Sequence, residues 1–282
     1  MSVAAAPAHA SPSTHTFEIG TFNMAGGNGD YFGEDGDYDS EDAVSALAAS
    51  IKDRSPAFVT VQESCSAWLS DLDSRLDGYS YAFSAVVSGG GSTASCKEDG
   101  AGEFGNAVIF KDGLGFDAGA AVGHSLGSPA GEEQREMLCV PSAFLSTVAC
   151  SAHLSVNSAS ARETELGNAL DILNDAYGSY THFLGGDFNA TPLSDELDQI
   201  YHEDYGWGAE GKYQEVDSRC GEDMSYPLGA NCRTGESTHG PWFWREKIDY
   251  IFVSADPVTV DWADVTSAKY SDHDPLWASV TY

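Results

Sequence analysis

The sequence predicts an α/β protein in which mixed β-sheets stack on one another under a cover of helices. Three observations lead there. Strand-like runs outnumber helical ones, several adjacent runs read as hairpins instead of βαβ units, and no repeat of roughly 20–50 residues is visible.

The elements follow in order. Thr16–Asn23 (TFEIGTFN) alternates and is rich in β-formers, so it reads as a strand. Gly26–Ser40 is a Gly- and Asp-rich loop. Asp35, Asp37 and Asp39 imitate the start of a calcium loop, but Ser40 stands where Gly is needed and Ala46 where the closing Glu should be. The run is therefore expected to be an acidic approach to a helix. Val44, Leu47 and Ile51 mark one apolar helical face, with Glu41 and Asp42 in the first turn. Ala57–Gln62 (AFVTVQ) reads as a buried strand ending at Glu63. Tyr79–Val87 and Asn106–Phe110 read as strands around a Gly/Ser-rich loop at 88–105, and Glu136–Val140 with Ser146–His153 as a hairpin. Ser160–Tyr177 is the clearest helix, with Leu166, Leu170, Leu173 and Tyr177 on one side and Gly178 as its stop. Thr181–Leu184 leads into Gly185-Gly186-Asp187-Phe188-Asn189. Leu193–Tyr201 suggests a short helix, and 202–245 is irregular and aromatic-rich. Lys247–Ser254 (KIDYIFVS) and Leu276–Tyr282 read as the last strands.

Composition bounds the function. Thirteen Lys and Arg stand against 44 Asp and Glu, a net charge of −31, which repels nucleic acid and anionic membranes unless a local basic patch or a cation intervenes. Its ordinary reading is the solubility of an exported protein. Residues 3–10 end in an A-x-A-like pattern, so residues 1–15 are expected to be a flexible remnant of a secretory signal region and 16–282 one catalytic domain. No run approaches the ~18 apolar residues of a membrane span. Six cysteines agree with export; their spacing favours the neighbour pairs Cys65–Cys96, Cys139–Cys150 and Cys220–Cys232. No close C-x-x-C spacing points to zinc.

Five predicted strand ends carry chemistry: Asn23, Glu63, His153, Asp187 with Asn189, and Asp272 with His273. Singly, each has an ordinary structural reading as a turn residue, a solvated acid or a satisfied histidine. Together they suit phosphoester hydrolysis. Glu63, Asp272 and Asn23 offer hard oxygen ligands for Mg²⁺ or Mn²⁺. One histidine can accept a proton from attacking water, and the other, with Asn189, can stabilise charge on phosphoryl oxygens.

These residues lie in TFNM (21–24), VQE (61–63), GNAVIF (105–110), REMLCV (135–140), SAHLS (151–155), GGDFNATP (185–192), KIDYIFVS (247–254) and SDHDP (271–275). In this order and spacing the pattern resembles the endonuclease/exonuclease/phosphatase superfamily, which includes pancreatic-type deoxyribonucleases, sphingomyelinases and inositol-phosphate 5-phosphatases. The resemblance implies a four-layer α/β sandwich with two face-to-face mixed β-sheets flanked by helices. It also implies roles. Glu63 is the main metal ligand, helped by Asn23 and Asp272. His273 is the general base with Asp249 orienting its ring, and His153 is the second catalytic histidine. Asp187 and Asn189 hold the water and a phosphoryl oxygen, and Arg135 contacts phosphate.

Two departures bear on substrate. Cys65 stands where pancreatic-type deoxyribonucleases carry a groove-reading arginine, and Phe104 where they carry a minor-groove tyrosine. Asn106 replaces the glutamate that partners the first histidine, so His153 is expected to be less basic. The leading expectation is a secreted, Mg²⁺-dependent phosphodiesterase acting as a nuclease, monomeric and without stable membrane insertion. The alternative is a lipid or inositol-phosphate phosphohydrolase. Trp207, Trp242, Phe243 and Trp244 form the one cluster that could meet a membrane, core or loop packing being its ordinary reading. A binding module without catalysis is disfavoured because every chemical position is filled.

Overall fold

The computed structural model describes residues 14–32, 39–129, 131–218, 232–240 and 245–282. Asp35, Asp37, Cys220, Trp242, Phe243, Trp244 and residues 1–13 lie outside them, and with them the expected signal remnant and the Cys220–Cys232 pairing.

The chain runs β1 (Thr16–Asn23), α1 (Gly29–Phe32), α2 (Ser40–Arg54), β2 (Phe58–Cys65), α3 (Ser66–Arg75), β3 (Tyr79–Ala85) and β4 (Phe104–Lys111). It continues through β5 (Val122–Ser125), β6 (Glu136–Ser142), β7 (Thr147–His153), α4 (Ala159–Tyr177) and β8 (Thr181–Asp187). Last come β9 (Tyr213–Glu215), β10 (Asp249–Ser254), β11 (Thr259–Val265) and β12 (Leu276–Thr281).

The strands form two six-stranded mixed sheets, ordered β11-β12-β1-β2-β4-β3 and β5-β6-β7-β8-β10-β9. Each holds one parallel pair, β1 with β2 and β7 with β8. Alternation along the strands makes the layers. Ile19, Phe58, Val108, Val140, Phe183, Ile251 and Leu276 point inward and pack sheet on sheet. The other face of the first sheet buries Phe22, Val59, Val61 and Ile109 against Val44, Leu47 and Ile51 of α2 and Trp68, Leu69 and Leu72 of α3. The other face of the second buries Met137, Val148, Leu184 and Phe252 against Leu166, Leu173 and Tyr177 of α4. The order helix, sheet, sheet, helix is the expected four-layer α/β sandwich.

Asp39, the described member of the acidic run, caps α2: its Oδ1 accepts from Glu41 N at 2.8 Å. Ser158 Oγ accepts from Ala161 N at 3.1 Å and starts α4. The segment expected as a helix at 193–201 holds only a short 3₁₀ turn, Asp195–Leu197. Helix α3 and strands β5, β9 and β11 add to the elements read from the sequence, and the short helix α1 lies inside the Gly26–Ser40 stretch expected to be a loop. Disulfides join Cys65 to Cys96 and Cys139 to Cys150. The second links residues directly opposed in the β6–β7 hairpin.

Two glycines explain how tightly the sheets close beneath the strand ends. A Cβ on Gly185 would lie 2.2 Å from Thr60 Oγ1 of the opposing sheet, and one on Gly186 would lie 1.9 Å from the Ala152 carbonyl oxygen of β7. A buried polar clamp sets the sheets in register there. Gln62 accepts from Thr21 Oγ1 (3.4 Å) and donates to Ser151 Oγ (3.0 Å), and Ser151 Oγ donates to the Val61 carbonyl (2.9 Å).

Candidate active site

Strand register assembles the site. Asp187 ends β8 opposite His153, which ends β7, and also opposite Asp249, which opens the antiparallel β10. Paired residues on adjacent strands share a face, so His153, Asp187 and Asp249 form one row. In the other sheet, Asn23 ends β1 beside Gln62. Glu63 follows where the β2–β4 register shifts, and its φ of +50° turns it out of the pleat. Asp272 and His273 precede β12, whose Leu276 pairs with Thr21. Ser271 fixes this loop: its hydroxyl donates to the Asn23 carbonyl (2.8 Å) and accepts from His273 N (3.0 Å).

His273 Nδ1 donates to Asp249 Oδ2 at 2.8 Å, which leaves its Nε2 directed at Asp187 Oδ2, 3.7 Å away. His153 Nε2 points at the same oxygen from 3.6 Å. Asp187 Oδ2 also accepts from Asn23 Nδ2 (3.0 Å), and its Oδ1 accepts from Asn189 N (2.9 Å). Asn189 takes a left-handed φ of +49°, and its amide donates to the Leu154 carbonyl (3.0 Å), holding the residue after His153. Buried Glu165 of α4 secures the same loop, accepting from Ser155 N (2.8 Å) and Ser155 Oγ (2.6 Å).

Glu63 Oε1 accepts from Asn23 Nδ2 (3.2 Å) and Oε2 from Gly27 N (3.0 Å). Asn23 therefore bridges Glu63 and Asp187 through its amide nitrogen, while its oxygen accepts from Ala25 N (2.9 Å). Asp272 Oδ2 accepts from Asn28 Nδ2 (3.0 Å). Glu63 and Asp272 line one open cleft of about 510 Å³ together with Gly27, Asn28, Asp30 and Lys97.

The remaining two expected residues flank this centre. Arg135 pairs with Glu133 at 2.7 Å and is close enough to His153 to act on its charge. Asn106 is buried, and its amide donates to the Glu136 carbonyl at 3.1 Å. Its hydrogen bond thus goes to the backbone of β6, not to the His153 ring.

The electrostatics are those of a site with surplus negative charge. Burial, then the Asp249 charge, pushes Asp187 up to about 7. Burial raises Glu63 against its hydrogen bond from Asn23. Burial alone would lower His273, but Asp249, Asp187 and Asp272 outweigh it and hold the imidazole up to about 10. His153 has no such support: burial, then Arg135 and His273, lower it well below the ordinary histidine value, so it is neutral. Glu63, Asp187, Asp249 and Asp272 thus surround His273 with hard oxygen atoms short of counter-charge. That donor set fits a small divalent cation. A compact group of Asp187, Asp249 and His273, with ligand atoms within 4.8 Å of one another, lies at its heart.

Residues that carry no sequence signal complete the frame. Thr238, fully buried, accepts at Oγ1 from Ile248 N (3.2 Å) and Asp249 N (3.0 Å), and its carbonyl accepts from Asp274 N (2.6 Å). It ties the Asp249 strand to the His273 loop. His239 lies against His273. Both fall in the stretch read as irregular, where no periodicity marks them; Asn28 and the Gln62–Ser151 clamp likewise carry no signal beyond polar residue type.

The chain belongs to the Endonuclease/Exonuclease/phosphatase family, whose sequence model matches residues 20–273. The family comprises phosphoester hydrolases, nucleases and phosphatases among them. Solved structures share the fold. A humanized D. rerio TDP2 is 15% identical, with a TM-score of 0.67 over 94% of this chain and 98% of that one. The human Nocturnin catalytic domain with bound sulfate is 17% identical, with a TM-score of 0.66 over 94% of this chain and 93% of that one. A mannosyl-6-phosphatase of Bacteroides thetaiotaomicron is 16% identical, with a TM-score of 0.60 over 94% and 99%. No curated protein sequence matches the chain.

Proposed function

We propose that residues 16–282 form one catalytic domain, an exported, divalent-metal-dependent phosphodiesterase that acts as a nuclease. The observation that carries this reading is the convergence of His153 Nε2 and His273 Nε2 on one oxygen of Asp187, beside the cleft lined by Glu63 and Asp272. A water held by Asp187 would stand within reach of His273 Nε2, which takes its proton while Asp249 fixes the ring through Nδ1–H. Neutral His153 donates a hydrogen bond to the phosphoryl oxygen or the leaving group. Arg135 and Asn189 complete the contacts to phosphate, and Asn106 braces β4 against β6 beneath them. Glu63 and Asp272, with Asn23 beside them, would hold Mg²⁺ or Mn²⁺, which supplies positive charge to the phosphoryl oxygens. The same cation would offset the carboxylates that keep His273 protonated, making the imidazole available as a base.

One observation favours a nuclease over a lipid phosphohydrolase, and an inositol-phosphate phosphohydrolase stays as the alternative. Among the described residues the exposed large apolar side chains, Val87, Val122, Phe144, Val156, Leu193 and Trp207, are scattered along the sequence. Export is supported by the two disulfides, and the domain is taken to act as a monomer. Incubation with plasmid DNA, RNA, sphingomyelin and inositol phosphates, each with Mg²⁺ and with EDTA, tests the reading. Cleavage of nucleic acid only with Mg²⁺ is expected; cleavage of lipid or inositol phosphate alone would replace it with the alternative.

A further inference from the structure

His239 stands outside the set that performs the proposed reaction, yet it is built into the same site. Its ring lies on that of His273, with centroids 4.5 Å apart and planes at 47°. Its Nε2 points at Asp272 Oδ2, 4.0 Å away, and Asp272 lines the cleft. The two imidazoles differ in access: the His239 side chain is 35% exposed and that of His273 is 7% exposed. The backbone leaves His239 little freedom. Its N–H donates to the Glu246 carbonyl (3.0 Å), its carbonyl accepts from Glu246 N (3.0 Å), and the next residue, Gly240, donates to the Asp272 carbonyl (3.1 Å). Thr238 just before it is buried and bonded to the strand that carries Asp249.

Among the described residues, neither ring nitrogen of His239 has a hydrogen-bond partner. A half-buried imidazole held rigidly beside Asp272 of the cleft, with no ring hydrogen bond among the described residues, is placed to donate to a ligand. In a chain of net charge −31, a nitrogen donor beside the centre is also scarce. We infer that His239 is a substrate-binding residue whose Nε2–H donates to an anionic oxygen of the phosphoester on the side of the site opposite His153. His273 lies between the two imidazoles, touching His239 by its ring and sharing Asp187 with His153. The inference rests on the phosphoesterase reading of this site.

Three variants separate donor from filler. His239→Phe keeps a ring against His273 and removes the donor, His239→Ala removes both, and His239→Gln restores a donor without the ring. Two measurements are made on each: binding of inorganic phosphate in Mg²⁺ by calorimetry, and steady-state cleavage of a phosphodiester. Mn²⁺ affinity is measured alongside. His239→Phe and His239→Ala are expected to weaken phosphate binding and kcat/KM by about tenfold or more, as for loss of a hydrogen bond to a charged group. His239→Gln recovers part of both, and Mn²⁺ affinity stays unchanged throughout. Wild-type phosphate affinity in His239→Phe overturns the inference, and a parallel loss of Mn²⁺ affinity overturns it by making His239 a metal ligand. Absence of turnover in the wild type on any phosphoester would instead overturn the functional reading, since the phosphate-binding comparison does not depend on turnover.

Discussion

Asp187 gathers the site's chemistry on a single carboxylate oxygen, which two histidine nitrogens and the Asn23 amide all approach. A buried carboxylate in such company has its charge destabilised by burial and by its acidic neighbours, which is why it rises to about 7. Asp249 does the converse for His273: its charge and hydrogen bond raise the imidazole. Asp249→Asn should therefore lower the His273 pKa, moving the acid limb of the kcat/KM profile to lower pH. It should also reduce kcat by roughly 10²–10⁴-fold, the range of general acid–base catalysis. A pH–rate profile of variant and wild type checks both. The positions of Asp187, Asp249 and His273 were legible because each lies at or beside one end of a strand with a strong pattern. His239 and Thr238 were not, because backbone pairing with Glu246 and Asp274, not any periodicity, brings them to the site.

At the scale of elements, what the sequence disclosed follows burial. Strands β1, β2, β4, β7, β8, β10 and β12 and helices α2 and α4 each bury one side or both and carry the corresponding period. Strand β5 is mostly exposed and β9 has only three residues, so neither has a pattern to read. Helix α3 starts straight after β2 with no side-chain cap, so no signal separates them. The glycine pair before Asp187 is a packing requirement. Gly186→Ala would force a Cβ against the Ala152 carbonyl and should cost about 1–3 kcal/mol in urea unfolding. His182 of β8 is held as the neutral imidazole, its Nε2–H donating to the Tyr177 carbonyl (2.9 Å) and its Nδ1 accepting from Tyr213 Oη (2.7 Å). Burial lowers its folded pKa below 6.5, so the unfolded chain takes up the proton first as pH falls. The stability it confers is present above pH 6.5 and lost below it. The gap in urea midpoint between wild type and His182→Gln should accordingly narrow from about pH 7.5 to pH 5.

For the whole molecule, the net charge of −31 and the acidic site pose one question, how a polyanion reaches carboxylates. Screening bears on approach. At very low ionic strength the protein repels a polynucleotide, so kcat/KM at fixed saturating Mg²⁺ should rise as NaCl increases toward ~0.15 M, where the Debye length is about 8 Å. A small single-phosphate diester, with little charge to repel, should respond far less, and stopped-assay rates on the two substrates compare them. The cation bears on the chemistry, since burial raises the carboxyls of Glu63 and Asp187 and a bound cation would favour their charged forms. Composition alone announced the charge; only the register of two stacked sheets shows that so much of it converges. The most direct measurement is the rate of nucleic-acid hydrolysis across a Mg²⁺ titration, for wild type and Glu63→Gln after exhaustive chelation. The wild type should be inactive without metal, regain activity saturably as Mg²⁺ is restored, and Glu63→Gln should need much more Mg²⁺ for half its maximum. Full activity in EDTA, or an unaltered Mg²⁺ requirement in Glu63→Gln, would contradict the account.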